Sequence, residues 1–270
     1  MQSGYYQVTG AMVTQFNKLD VISQNLANVN TSGFKREGVV IGDFERLFQE
    51  KRDELPLKNN TKEAAKFFNR SVNRTPRIVD QFTDFSSMTL KHSGNPLDFA
   101  LKEPDLFFAV QTPQGVRLTQ QSNFNINAQG EIVTKEGYKL LPENFLDTTN
   151  RNIHVPKGRA LNLAQDGTLS VDDNKIDKIF IARVKNTNLL HKEGDTLYKM
   201  DNIENNSIQV NDNGTYVKQG FIQMSNVNAV EEMVSLIETN RLVEMYQRVM
   251  TTQMDDLNKD AITKLATTRA

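Results

Sequence analysis

Tyr5, Val8, Met12, Gln15, Leu19, Ile22, Leu26 and Val29 step along the chain by three and four residues in turn, and seven of the eight are apolar. That spacing predicts a heptad seam on one long helix. Asn28, Asn30, Thr31, Ser32 and Gly33 then stop it, with Gly33 suited to a left-handed C-terminal cap. A second stripe runs near the other end through Val243, Tyr246, Met250, Met254, Leu257, Ala261 and Leu265. Its period of about 3.67 residues belongs to an 11-residue repeat and predicts a nearly straight or slightly right-handed helix. Asn228, with Glu231 three positions on, marks its start as a capping box.

Between the stripes the period changes to two. Leu106–Val110 reads as a buried strand, Thr112-Pro113-Gln114-Gly115 as a turn, and Val116–Thr119 as the returning strand. Phe124 and Ile126 pair with Ile132 and Val133 around Gln129-Gly130, and Tyr138–Leu141 follows. Leu161, Leu163, Leu169 and Val171 alternate around Asp166-Gly167, a strong hairpin signal. Ile179–Val184 is a further strand. No helix-length periodic stretch interrupts 77–221. The fold class predicted is α+β: long N- and C-terminal α-helices pairing as a coiled-coil-like tube domain, with an intervening antiparallel β domain. The divisions are 1–34 for the first helix, 35–76 for an extended connector, 77–221 for the β domain, as one or two sub-domains, and 222–270 for the last helix.

Charge sharpens the reading of the first helix. Within Met1–Asn30 only Lys18 and Asp20 are charged, and the outer face is mostly neutral and polar. A helix surrounded by neighbours needs that depletion, because unpaired buried charges are costly. The alternative is one face in this chain's own core and an incidental shortage of charge outside. The stretch from Lys35 to Arg77 is the opposite, with eleven Lys and Arg against seven Asp and Glu. A short element is expected around Phe44–Phe48, then an extended or loop-like connector that reads as a solvated linker or as a grip for phosphates or an acidic partner.

Over 270 residues the formal charge is −1, which gives no sign of a nucleic-acid partner. There is no cysteine, so disulfides and thiolate chemistry are excluded. The N-terminus has no basic n-region followed by a continuous apolar core, so no cleaved signal peptide is expected. The longest apolar runs fall well short of the ~18 residues a membrane span needs. His92, His154 and His191 are scattered, and no Walker loop, GxGxxG or GxSxG elbow occurs. Asp172, Asp173 and Asp177 read as solvated turn carboxylates rather than metal ligands. No catalytic residue, cofactor, metal or small-molecule substrate is assigned.

Several runs resemble the bacterial flagellar rod and hook family. Leu26-Ala27-Asn28-Val29-Asn30-Thr31-Ser32-Gly33-Phe34-Lys35 is similar to its N-terminal signature. Gly94–Leu101, Phe107–Val110, Gly115, Leu118-Thr119, Phe124, Gly130 and Gly137 are similar to its β-domain entry. Gln219–Asn228 and Glu231–Ile237 are similar to its C-terminal signature. One departure is Lys102–Leu106, where the family usually carries a glycine-containing turn. The resemblance implies a non-enzymatic subunit of the basal-body rod in the periplasm, exported unfolded through the flagellar export apparatus. It implies helical polymerisation with itself and with other rod and hook subunits, the terminal helices forming the inner tube. The assembly residues it implies are Tyr5, Val8, Met12, Leu19, Ile22, Leu26, Asn28, Val29, Asn30, Gly33, Phe34, Val243, Tyr246, Met250, Met254 and Leu257. Asn226–Ile237 favours the proximal rod, with the distal rod as the alternative. Two rivals of other classes are an amphipathic membrane-surface protein, which Lys18 as the lone basic residue of the helix disfavours, and a carbohydrate-active enzyme, for which no paired carboxylates can be placed.

Overall fold

The computed structural model describes residues 2–43, 76–145, 152–156, 159, 161–172, 174–200, 207–209 and 214–267. The fold is α+β, with two long helices toward the chain ends and antiparallel sheets between. Helix α1 spans Gln2–Ala27 and helix α2 spans Ala229–Thr267. Asn228 caps α2: its side-chain oxygen accepts the Val230 N–H at 3.1 Å, and its carbonyl accepts the Glu232 N–H at 3.0 Å. Among the described residues, no helix is long and apolar enough to cross a membrane.

The chain divides into two compact units. The first takes in described residues of Met1–Leu26, Glu37–Phe82 and Asn228–Ala270, and so holds both helices. It also holds a two-stranded ribbon of β1 (Glu37–Asp43) and β2 (Pro76–Thr83). β2 begins the β domain expected from residue 77, whereas β1 makes the first part of the expected extended connector a paired strand; residues 44–75, with the element expected around Phe44–Phe48, lie outside the described residues. The run Val39-Val40-Ile41 is β-branched throughout and pairs readily, but Gly38 and Gly42 flank it and obscure the pattern. A Cβ at Gly38 would lie 2.4 Å from the tip of the exposed Phe82 ring, which would have to swing aside.

The second unit, the β body, is Ala27–Arg36 with Thr83–Val227. Its central strand is β5 (Leu106–Thr112), in which six of seven residues are buried. A strand covered on both faces needs an apolar run rather than alternation, and Leu-Phe-Phe-Ala-Val supplies it. Leu106, Phe108 and Val110 enter one core with Phe99, Phe124 and Ile181. Phe107 and Ala109 enter a second with Phe180, Tyr198 and Leu118. On one edge β5 pairs with β6 (Gly115–Thr119), Thr112 opposite Gly115, as the Pro113-Gln114 turn predicts. On the other it meets β9 (Lys139–Leu140) and β13 (Ile181–Val184). The predicted hairpin of β7 (Phe124–Ile126) and β8 (Ile132–Thr134) is present. So is that of β10 (Leu161–Leu163) and β11 (Thr168–Val171), to which β12 (Asn174–Lys178) adds a third strand.

Two further differences concern the ends of the β body. Phe221–Gln223 is strand β18, paired with β3 (Leu90–His92), so residues 221–223 are extended, although 222 onward is grouped with the last helix from sequence. β4 (Phe99–Leu101) pairs with β17 (Val217–Gln219). At Lys102–Leu106 the missing glycine is unnecessary. Proline at the second position makes a turn in which the Leu106 N–H reaches the Glu103 carbonyl, and Asp172 is the one described non-glycine residue with positive φ.

Candidate functional site

In the helical unit, α1 buries Ala11, Thr14, Gln15, Val21, Ile22 and Asn25. Of the predicted seam, Gln15 and Ile22 are buried, while Val8, Met12, Leu19, Leu26 and Val29 are half-buried; Tyr5 lies in α1 but its side chain is outside the described residues. Four of the six buried residues, Ala11, Thr14, Val21 and Asn25, lie one position before a seam residue, and half of the six are polar. Thr14 and Asn25 have specific work. The Thr14 hydroxyl donates to the Pro76 carbonyl at 2.8 Å. The Asn25 amide donates to the Glu37 carbonyl at 2.8 Å while its oxygen accepts the Glu37 N–H at 2.9 Å. Asn25 therefore extends the ribbon with a side chain that imitates a strand. No periodicity rule flags such a residue.

Helix α2 presents two faces. Glu232, Thr239 and Val243 are buried, and Tyr246 and Met250 are half-buried on the same side. Met254 breaks the predicted stripe, being 47% exposed, and the Leu257 side chain lies outside the described residues. A second stripe is open to solvent: Val230, Met233, Val234, Ile237, Leu242, Met245 and Val249. Val13 and Phe16 on α1, and Val40, Ile41 and Phe82 on the ribbon, are exposed as well. Exposed large apolar side chains in such number are a feature common at interaction surfaces.

In the β body, Asn28, Val29, Asn30, Gly33 and Phe34 form an exit strap after α1. The Thr31 N–H and hydroxyl both return to Asn28, to its carbonyl at 3.1 Å and its side-chain oxygen at 2.9 Å. Gly33 has φ +74°, and its N–H donates to the Gln223 carbonyl at 2.9 Å. A Cβ there would sit 2.3 Å from the Gln120 carbonyl oxygen. Left-handed geometry is what the sequence predicts; the backbone contact is an additional reason for glycine. Phe34 is fully buried, with the Lys192 ammonium 4.1 Å from its ring centroid. Lys35 is also fully buried, and its ammonium donates to the Ser86 carbonyl at 2.9 Å. Burial pushes its pKa down to about 8, with Asp84 pulling the other way. Asn226 accepts the Arg36 N–H at 2.7 Å and donates to the Asp84 carbonyl and the Ser86 hydroxyl.

The strap thus brings the N-terminal run Gly33–Arg36 onto Gln223–Asn226, nearly two hundred residues away in sequence. Among the described residues no three His, Asp or Glu side chains gather as a metal site. Asp172 pairs with Arg159.

These same runs are what known proteins share with the chain. Residues 6–35 match the family described as flagella basal body rod protein. Residues 104–171 match the flagellar hook protein FlgE/F/G D1 domain, and 218–263 the C-terminal region of flagellar basal body rod FlgEFG proteins. The flagellar basal-body rod protein FlgG of Buchnera aphidicola is 30% identical over 262 residues, covering 93% of this chain and 95% of its own. FlgG of Bacillus subtilis is 27% identical, covering 96% and 97%. The rod protein FlgF of Mesorhizobium japonicum is 27% identical, covering 90% of each chain. With three family regions in order along the sequence and full-length relatives of one kind, the chain belongs to the flagellar basal-body rod protein family.

Proposed function

We propose that this protein is a non-enzymatic rod subunit that polymerises helically, its terminal helices completing their packing only against neighbouring copies and other rod or hook subunits. Family membership makes it a structural component of the flagellar basal body. The observation that carries the finer reading is the second apolar face of α2. A helix with one stripe buried and another in water needs a partner for the second. A contact repeated by a screw operation that does not close gives a filament.

In this reading Val8, Met12, Leu19, Ile22, Leu26 and Val29 supply one seam, with Tyr5 continuing it. Val243, Tyr246 and Met250 answer it from the buried side of α2, while the open stripe of α2 and the exposed Met254 meet the next copy. Asn28, Asn30 and Gly33 set the helix exit. The helices of a free subunit are then marginal and fold on binding, which suits export of an unfolded chain to a periplasmic rod without a cleaved signal. The proximal position is favoured by Asn226–Ile237, and locating the chain along the axis of an intact basal body decides it against the distal one. The test of function is assembly of the purified full-length chain, followed by sedimentation and electron microscopy. Rod-like polymers that require the helices support the proposal; a chain that stays monomeric at high concentration, alone and with other rod subunits, refutes it.

A further inference from the structure

The helical unit is drawn from three separate pieces of chain, Met1–Leu26, Glu37–Phe82 and Asn228–Ala270. The chain therefore crosses between the units after Leu26, Arg36, Phe82 and Val227. On the β-body side, one side chain ties the last three crossings together. Asn226 accepts the Arg36 N–H on its Oδ1 at 2.7 Å, and its amide donates to the Asp84 carbonyl at 2.8 Å and the Ser86 hydroxyl at 3.1 Å. Both kinds of polar group on the carboxamide are in use, which neither a carboxylate nor an apolar side chain could reproduce. The segments joined lie 190 and 142 residues from Asn226 in sequence. Further bonds among them do not involve the Asn226 side chain. The Asp84 N–H donates to the Arg36 carbonyl at 2.9 Å, the Lys35 ammonium to the Ser86 carbonyl at 2.9 Å, and the Gly33 N–H to the Gln223 carbonyl at 2.9 Å.

We infer that Asn226 is a positioning residue for assembly: it binds the β-body ends of the ribbon and of α2 into one stem, so that these pieces meet a neighbouring copy already gathered. The inference rests on the self-assembly reading above and concerns the chain crossings rather than the apolar stripes. Free tethers would have to be drawn together each time the pieces of the helical unit found one another, against loop-closure entropy. Ends held within hydrogen-bond distance overcome that entropy when the β body folds, and they raise the effective concentration of one piece at the next. The helical unit uses the same device at its own side of the first two crossings. Asn25, one residue before the first, holds both the N–H and the carbonyl of Glu37, the first residue after the second.

The test uses the full-length chain with Asn226→Ala and Asn226→Ser, both too short to span the three segments. In the dilute, monomeric chain, NMR hydrogen exchange reads the amides of Gly33 and Asp84, whose acceptors are backbone carbonyls and not Asn226. Loss of the stem is expected to speed both at least tenfold while the amides of β5 keep their wild-type protection. Faster exchange at Arg36 alone means a local contact and overturns the inference. So does loss of β5 protection in both variants, which makes Asn226 a residue of β-body folding. In a second arm, the critical concentration for assembly is expected to rise about tenfold in each folded variant. If Gly33 and Asp84 exchange faster but the variants assemble at the wild-type concentration, the stem positions nothing; this inference fails and the rod reading stands. If wild type does not assemble at all, the rod reading fails and takes this inference with it.

Discussion

The β body and the helical unit solve the same problem in opposite ways. Strand β5 is covered on both faces, and its Leu106, Phe107, Phe108, Ala109 and Val110 are fully buried within one chain. Helix α2 is as long as any element here, yet it leaves Val230 at 66% and Ile262 at 68% exposure. The polar groups differ too. In the β body the buried amide of Gln120 donates to the Pro104 and Leu106 carbonyls, a contact between segments of the same unit. On α1, the Thr14 hydroxyl and the Asn25 amide donate instead to carbonyls of the ribbon, a separate segment of the helical unit. A unit that completes its core alone can hold a fixed shape in solution, whereas a unit that leaves apolar surface open is built to be finished by something else.

The comparison can be broken most severely at the helices. Leu26→Asp places a charge on the assembly seam and is expected to abolish polymer formation in sedimentation, while the thermal transition of the β body persists. Phe108→Ala does the reverse: loss of a ring buried in the β5 core is expected to lower β-body stability by about 3–5 kcal/mol in denaturant unfolding. Lys35 sharpens the contrast through pH. Its folded pKa, about 8, lies below the ordinary 10.5, so between those values the unfolded chain binds more protons than the native one. Stability is therefore depressed below pH 8 and recovers as pH rises to 10.5, by on the order of 3 kcal/mol relative to Lys35→Met, in which the rise disappears. Gly33→Ala is expected to remove about 2 kcal/mol, because positive φ and the Gln120 carbonyl both oppose a side chain. Asn25→Ala is the mildest, at about 1–2 kcal/mol, read as faster amide exchange in the ribbon.

What sequence reveals here follows from how local each cause is. The β5–β6 turn, the β7–β8 hairpin and the Asn228 cap depend on residues within a few positions of one another, and periodicity with turn chemistry finds them. The β1 strand escaped because its three apolar residues sit between glycines whose purpose, admitting Phe82 and Val79, lies on another segment. Lys35 opens a charged stretch and reads as solvated, although the fold encloses it among Phe85, Ser86 and Asp84. Gly33 was legible as a helix stop but not as the point where the strap touches residues 120–121. The second stripe of α2 is hidden for a different reason: Val234, Ile237, Met245 and Val249 follow the same three- and four-residue steps as Val243, Tyr246 and Met250, so periodicity alone does not say which stripe is buried.

The central claim is that the terminal helices are completed by other molecules and the β body is not. Hydrogen exchange on the full-length chain, dilute and then assembled, tests it directly. The account predicts that amides of α1 and α2 in the dilute chain exchange within seconds while those of β5, β6 and β13 are protected, and that assembly protects the helices. Helices already protected as strongly as β5 in a monodisperse monomer would contradict it.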